Sequence, residues 1–242
     1  MTPILLIAKR ELLSYLRTRS GYVIAAAVLL LGGLTFNAMA MRGEAKSFDV
    51  LQWFFFWFGA GMVMIAGSLI SMRLFAEEKQ LGTIVLLEMA PTSEWKIVAG
   101  KFLGAWSYML LFLALTSYMP VLVMVHGKVS LGHVLTGYLG MALLSAVTIA
   151  VGALWSSIAP TQIVAVILTS VTMVFWSILW MVAKEAEGVL GDVLGFLDLF
   201  NVHYRSFTRG TIKLASVVYY VGFVYGALVL TTAVLSARRW RA

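Results

Sequence analysis

Cysteine is absent from the 242 residues, so disulfides and thiol chemistry are unavailable to the chain. Charge is scarce: Asp, Glu, Lys and Arg make up 12% of residues, against roughly 25% in an ordinary soluble domain. A phosphate-binding loop is missing. The nearest stretch, "AGKF" at residues 99–102, lacks the upstream glycine and the following hydroxyl, so no ATPase resides in this chain. No Gly-x-Ser-x-Gly elbow occurs and no carboxylate falls inside an apolar run, which argues against a serine hydrolase and a proton relay. The Ser and Thr scattered through those runs suit bonds to helix backbone better than an intramembrane active site. His126, His133 and His203 lack zinc-site spacing and read as loop histidines. A basic face on a soluble fold, as nucleic-acid binding requires, is also missing.

What is present is apolar: 61% of the residues are hydrophobic. Uncharged runs long enough for a helix of about 20 residues to cross a bilayer occupy 20–41, 50–72, 102–125, 134–183 and 214–237. The fourth is too long for one span, and "WSSIAPT" at 155–161 divides it, because Pro160 lacks an amide proton and disfavours helix in the residue before it. The expectation is an all-α integral membrane protein, a single domain over 1–242. Its six spans lie near 20–41, 50–72, 102–125, 134–155, 161–183 and 214–237. A basic N-terminus, an apolar run and "AMA" at 38–40 resemble a cleaved signal, but the run exceeds the usual ~7–15 residues and reads as the first span.

Alternate sides of those spans hold eleven Lys and Arg (Lys9 to Arg19, Arg73 to Lys101, Arg238 to Arg241) against seven (Arg42, Lys46, Lys128, Lys184, Arg205, Arg209 and Lys213). Basic loops stay cytoplasmic, so both termini are expected there. Before the first span, "ILLIAKRELLSYLRT" gathers Leu5, Ala8, Leu12, Tyr15 and Leu16 on one helical face, which fits an interfacial helix or, more simply, a cytoplasmic extension of the span. On the outer side the segment 184–213 is too apolar for a free linker and is broken by Gly188, Gly191 and Gly195. Short re-entrant helices are expected there, with protein shielding their backbone.

Several patterns carry two readings. "QWFFFWFG" at 52–59 suits an interfacial aromatic belt or the lining of a pathway. The glycine pairs Gly100–Gly104 and Gly222–Gly226 permit close helix approach, expected within one subunit rather than at a dimer seam. The thirteen methionines suit ordinary packing. The most demanding stretch is "RLFAEEKQLGTIVLLEMAPTS" at 73–93, charged and then apolar between two spans. It divides into an amphipathic end of span two, a break at Gly82-Thr83, a short apolar helix from Ile84 to Met89, and a stop at Pro91. Thr92 or Ser93 then caps span three, with Glu94 in its first turn. A helical bracket with Leu81, Ile84, Leu87 and Met89 on its apolar face suits a docking element; a membrane-lying connector is the plainer alternative.

Arg73, Glu77-Glu78-Lys79, Gly82-Thr83-Ile84, Leu86-Leu87, Ala90-Pro91 and Gly100-Lys101-Phe102 resemble the cytoplasmic loop of ABC-2 type permeases, the membrane subunits of one class of ATP-binding-cassette transporter. More narrowly, "SMRLFAEE", "GYLGMALLSAVTIAVGALWSSIAPTQIVA" and "NVHYRSFTRG" are similar to the gliding-motility-associated branch of that family. The resemblance implies a bacterial inner-membrane location, a second identical or paralogous permease subunit, and separate ATPase subunits that bind the ATP and Mg. It also implies a cytoplasmic coupling helix and an exporter that moves cargo or transmits force. A periplasmic or membrane-anchored accessory protein is a further implied partner. The coupling residues it implies are Arg73, Phe75, Glu77, Glu78, Lys79, Leu81, Gly82, Thr83, Ile84, Leu87, Glu88, Met89 and Pro91. A pathway or outer gate would draw on Trp53, Phe54, Trp57, Phe196, Phe200, His203, Arg205 and Arg209. Val85 stands where the family commonly has a glutamate, and Glu88 follows later. An ATP-independent secondary transporter or channel is the rival reading, weakened by the lack of charge within the apolar runs.

Overall fold

The computed structural model describes residues 2–40, 47–85, 89, 92–127, 129–185 and 188–239. Among these, all regular structure is helical. Six helical stretches are long and apolar enough to cross a membrane: Gly21–Ala38, Phe48–Gln80, Glu94–Val125, Leu131–Ile158, Gln162–Glu185 and Leu214–Ala237. The protein is thus an all-α integral membrane protein. Its helices are α1 (Pro3–Arg17), α2 (Arg19–Ala40), α3 (Ser47–Trp53), α4 (Ala60–Ser71), α5 (Arg73–Gln80), α6 (Glu94–Leu115), α7 (Tyr118–His126) and α8 (Leu131–Ile158). After these come α9 (Gln162–Glu185), α10 (Val189–Leu197), α11 (Arg205–Thr208) and α12 (Leu214–Arg239). Two π-helical segments, Phe54–Gly59 and Leu199–Tyr204, join α3 to α4 and precede α11.

The proline break falls where the sequence places it. Ala159, directly before Pro160, takes φ −60° and ψ 142°, ending α8, and α9 begins at Gln162. The helix of span three starts at Glu94, with Ser93 at its cap position, so Lys101 lies inside the helix, 3% exposed. The apolar run stops at Lys101 in the sequence, but its charge is matched by acids from two other helices and the helix has no reason to break there.

The fourth span, α8, is the central post, packed by α4, α6, α9 and α12. The rims of α2, α9 and α12 remain exposed, as lipid-facing surfaces do. Hydroxyls within α8 bond mainly to backbone: Ser145 Oγ donates to Ala142 O, and Thr148 Oγ1 to Leu144 O.

Helix α1 lies against α6 rather than standing as an extension of span one. A β-carbon on Gly104 would sit 2.6 Å from Glu11 Cβ and 2.7 Å from the Ala8 carbonyl oxygen, and one on Gly100 would sit 2.7 Å from Ile7 Cβ. The inward face of α1 therefore includes Ile4, Ile7, Ala8, Glu11 and Tyr15, while Leu5 is 53% exposed. Tyr15 is buried, stacks on Tyr108 with centroids 5.2 Å apart, and donates to Ile70 O at 2.8 Å. Burial pushes its phenol well above the usual range, so it stays a neutral donor. Gly104→Leu is expected to lift α1 from α6 and destabilise the protein by about 1–3 kcal/mol through overpacking. Thermal unfolding in detergent measures it, and an unchanged midpoint would contradict the seam. The other pair behaves differently: among the described residues nothing lies within 4 Å of a β-carbon on Gly222 or Gly226, so the expected packing within the subunit is corrected for that pair.

The segment before α12 is a folded cap that enters the bundle. Asp198 Oδ1 accepts from the amides of Phe200 and Asn201, starting the second π segment. Phe207, fully buried, meets Gly140, which lies nine residues into α8, roughly 13 Å along its axis at about 1.5 Å per residue. This is the re-entrant arrangement expected before span six.

Candidate functional site

The charged stretch forms a knot in which nearly every charge has a partner from within the chain. Arg73 Nε and Nη2 hold Glu77 in a two-pronged pair at 2.6 and 3.0 Å, one helical turn away on α5. Arg73 Nη1 also donates to Thr18 Oγ1 at 3.2 Å, tying α5 to the end of α1. Lys101 on α6 sits 2.8 Å from Glu78 Oε1 and 3.5 Å from Glu11 Oε2, over the ring of buried Phe75. Exposed Arg10 adds a longer contact of 4.0 Å to Glu78.

A second set of bonds joins α5 to the end of α8. Ser156 Oγ accepts from the amides of Phe75 (3.0 Å) and Ala76 (2.9 Å) and donates to Met72 O (2.9 Å). A serine from a distant helix thus caps the start of α5, and its insertion accounts for the interruption between α4 and α5. Lys79 Nζ donates to the carbonyls of Ser156, Ser157 and Ala159, where α8 ends with unpaired carbonyls and a negative dipole. Glu77, Glu78 and Lys79 thus all make contacts inside the chain.

The bracket beyond α5 presents apolar groups instead. Gly82, at φ +69°, closes α5, with Thr83 N bonded to Glu78 O (2.9 Å) and Gly82 N to Lys79 O (3.2 Å). Just before this turn Leu81 is 69% exposed, and past it Val85 is 52% and Met89 76% exposed, while Ile84 is half-buried and Thr83 exposed. Val85, noted in the sequence only as a departure, thus lies on the exposed apolar side with Leu81 and Met89. Leu87, Glu88 and Pro91 lie outside the described residues. At the start of α6, Ser93 holds the cap position through its backbone, and Glu94 occupies the first turn.

At the opposite end a cavity of about 720 Å³ opens between the start of span two, the end of α9 and the second π segment. Trp53, Trp57, Phe200 and Arg205 line it, as do Asp49, Gln52, Phe56, Ser177, Trp180 and Asn201. Its aromatic wall is fixed by Tyr204, whose hydroxyl donates to Phe55 O at 2.7 Å, and by Phe56 edge-on to Phe200 at 5.5 Å. Burial holds the Tyr204 phenol above its ordinary range. Phe54 is not in this cavity; it is 2% exposed and packs between Phe36 and Phe58. His203 is likewise a buried structural residue rather than a loop histidine. Its Nε2 lies 3.0 Å from Phe196 O and Nδ1 lies 3.1 Å from Ser216 Oγ, so the carbonyl assigns the proton to Nε2. His133 is also buried, against Phe48. Phe196 is exposed and edge-on to His203, and Arg209 is exposed outside the cavity lining. Trp180 had no sequence signal, because only folding brings the end of α9 to the start of span two.

A family model described as ABC-2 type transporter matches residues 2–182, three-quarters of the chain. A search of curated proteins finds no match.

Proposed function

The chain belongs to the ABC-2 type transporter family, and from that premise we propose that it couples a separate ATPase to movement of substrate, or of force, across a bacterial inner membrane. It is a membrane permease subunit, a kind of chain that is generally non-catalytic. In this reading the charged end is cytoplasmic, ATP and Mg are bound by partner ATPase subunits, and a second permease subunit completes the pathway. The direction is outward. The narrower gliding-motility resemblance finds no support in the family match.

The observation that carries the reading is a set of exposed apolar side chains directly after a helix that is tied to three others. Leu81, Val85 and Met89 offer anchors, while polar bonds fix α5 to α1, α6 and α8. A partner that pushes on these anchors therefore moves these helices as one body, which suits rocking of a membrane half better than bending of a loop. The outer cavity, between spans two and five and the re-entrant cap, serves as the outer gate.

The test is copurification from native membranes with ATPase assay. The unchanged chain is expected to bring down an ATP-binding-cassette subunit. The variant Leu81→Asp, Val85→Asp, Met89→Asp is expected to lose it at least tenfold, since an aspartate in each anchor pocket leaves a buried unpaired charge. Its thermal midpoint should stay unchanged, because these side chains are exposed. Equal recovery of the ATPase with both chains would remove these side chains as the docking site. Absence of any ATPase from a folded native sample would remove the coupling scheme.

A further inference from the structure

The charges of the opposite end stand in a different condition from those of the knot. Arg205 is exposed at the mouth of the outer cavity, and among the described residues no carboxylate oxygen lies within 4.0 Å of it. Among the described residues its ring partner is Phe56, with the guanidinium carbon 5.9 Å from the centroid. Stacking on an aromatic face fixes a guanidinium's plane and leaves its N–H fork free for a phosphate. Asp49 lines the same cavity, also exposed, and makes no ion pair among the described residues. One cavity thus holds a cation and an anion that do not neutralise each other.

The rest of the lining is apolar and continuous with the lipid-facing surface. Trp57 is 63% exposed, Ile178 47% and Met181 56%. Trp53, Phe56 and Trp180 complete an aromatic wall at the ends of two spans, the depth at which indole rings meet headgroups. The volume, about 720 Å³, is within the range of roughly 300–1,000 Å³ that holds small molecules.

We propose that this cavity is a binding site for a zwitterionic glycerophospholipid, with the phosphate on Arg205, the ammonium toward Asp49, and the glycerol and upper acyl chains against the aromatic wall. The paired opposite charges favour a zwitterion over a lipid of net negative charge, which would place its excess charge beside Asp49. The chains leave sideways into the bilayer past Trp57 and Met181. The site concerns this chain alone and does not depend on an ATPase.

Native mass spectrometry of the delipidated full chain tests it, with dioleoylphosphatidylethanolamine, dioleoylphosphatidylglycerol and the water-soluble glycerophosphoethanolamine as probes. One phosphatidylethanolamine is expected to bind, more tightly than phosphatidylglycerol. Arg205→Gln is expected to weaken it about 10- to 150-fold, the loss of a charge-assisted bond of about 1.5–3 kcal/mol. Arg205→Lys should recover part of this, and Asp49→Asn should raise phosphatidylglycerol binding toward that of phosphatidylethanolamine. Equal phosphatidylethanolamine binding by the unchanged chain and Arg205→Gln would overturn the site. Equal binding of both lipids by the unchanged chain would overturn the zwitterion assignment. Displacement by an equal concentration of glycerophosphoethanolamine would overturn the role of the acyl chains.

Discussion

Lys101→Met is expected to destabilise the protein by about 3–5 kcal/mol, the cost of leaving buried carboxylates without their cation. Lys101 is 3% exposed, and its partners Glu78 and Glu11 are 16% and 12% exposed, so water compensates little. Glu78 Oε2 already has no hydrogen-bond partner among the described residues, which makes Oε1 and its bond to Lys101 the principal support of that carboxylate. Met matches the aliphatic stem of Lys and keeps the contact with Phe75, so the loss is electrostatic rather than a cavity. Thermal unfolding in detergent should show the midpoint falling by roughly 6 to 20 °C, at about 2–4 °C per kcal/mol for a chain of this size. Adding Glu78→Gln and Glu11→Gln to the same variant should recover most of the loss, because no uncompensated charge then remains. A single variant as stable as the unchanged chain would mean that water reaches the triad.

Ser156→Ala is expected to have the second large effect, confined to one joint. Alanine removes only the hydroxyl and leaves the amides of Phe75 and Ala76 and the carbonyl of Met72 without their partner, at about 1–3 kcal/mol for each buried group. Hydrogen exchange should show faster exchange at Phe75 and Ala76 while the amides of Val147 to Val151, in the buried middle of α8, keep their protection. Unchanged protection at Phe75 and Ala76 would show that the start of α5 is held by other bonds. Uniform loss through α8 would show that Ser156 supports the whole bundle.

The spans were legible because their main signal is the absence of charge, and the α8–α9 break because proline acts on its neighbour alone. The folded outer cap was legible in kind, since a segment so apolar has to be covered. Pairings across the chain were not. Lys101 ends an apolar run on the page, and its partners lie ninety and twenty-three residues earlier. The cluster Glu77-Glu78-Lys79 looks like a surface because three charges in a row usually are one. Here helical rotation sends each toward a different neighbour: Arg73, Lys101 and the end of α8. Gly100–Gly104 and Gly222–Gly226 share one spacing and have opposite surroundings, because spacing reports a small-residue face and not what covers it. The cavity beside α3 was half legible: the aromatic run supplied Trp53 and Trp57, whereas Asp49 and Trp180 enter only through the tertiary fold.

The order of residues in the knot also sets an order of assembly during synthesis. Both acids that hold Lys101, Glu11 and Glu78, precede it in the chain, so they have left the ribosome before the lysine reaches the membrane. Lys101 lies about two turns into the third span, and the acids made before it are there to pair its charge as that span inserts. Lys79 stands the other way round. Its carbonyl acceptors at 156, 157 and 159 are made nearly eighty residues later, so it stays solvated until the fourth span arrives. The charged joint thus closes in two strokes, the first fastening α1, α5 and the third span, the second locking them to the central helix.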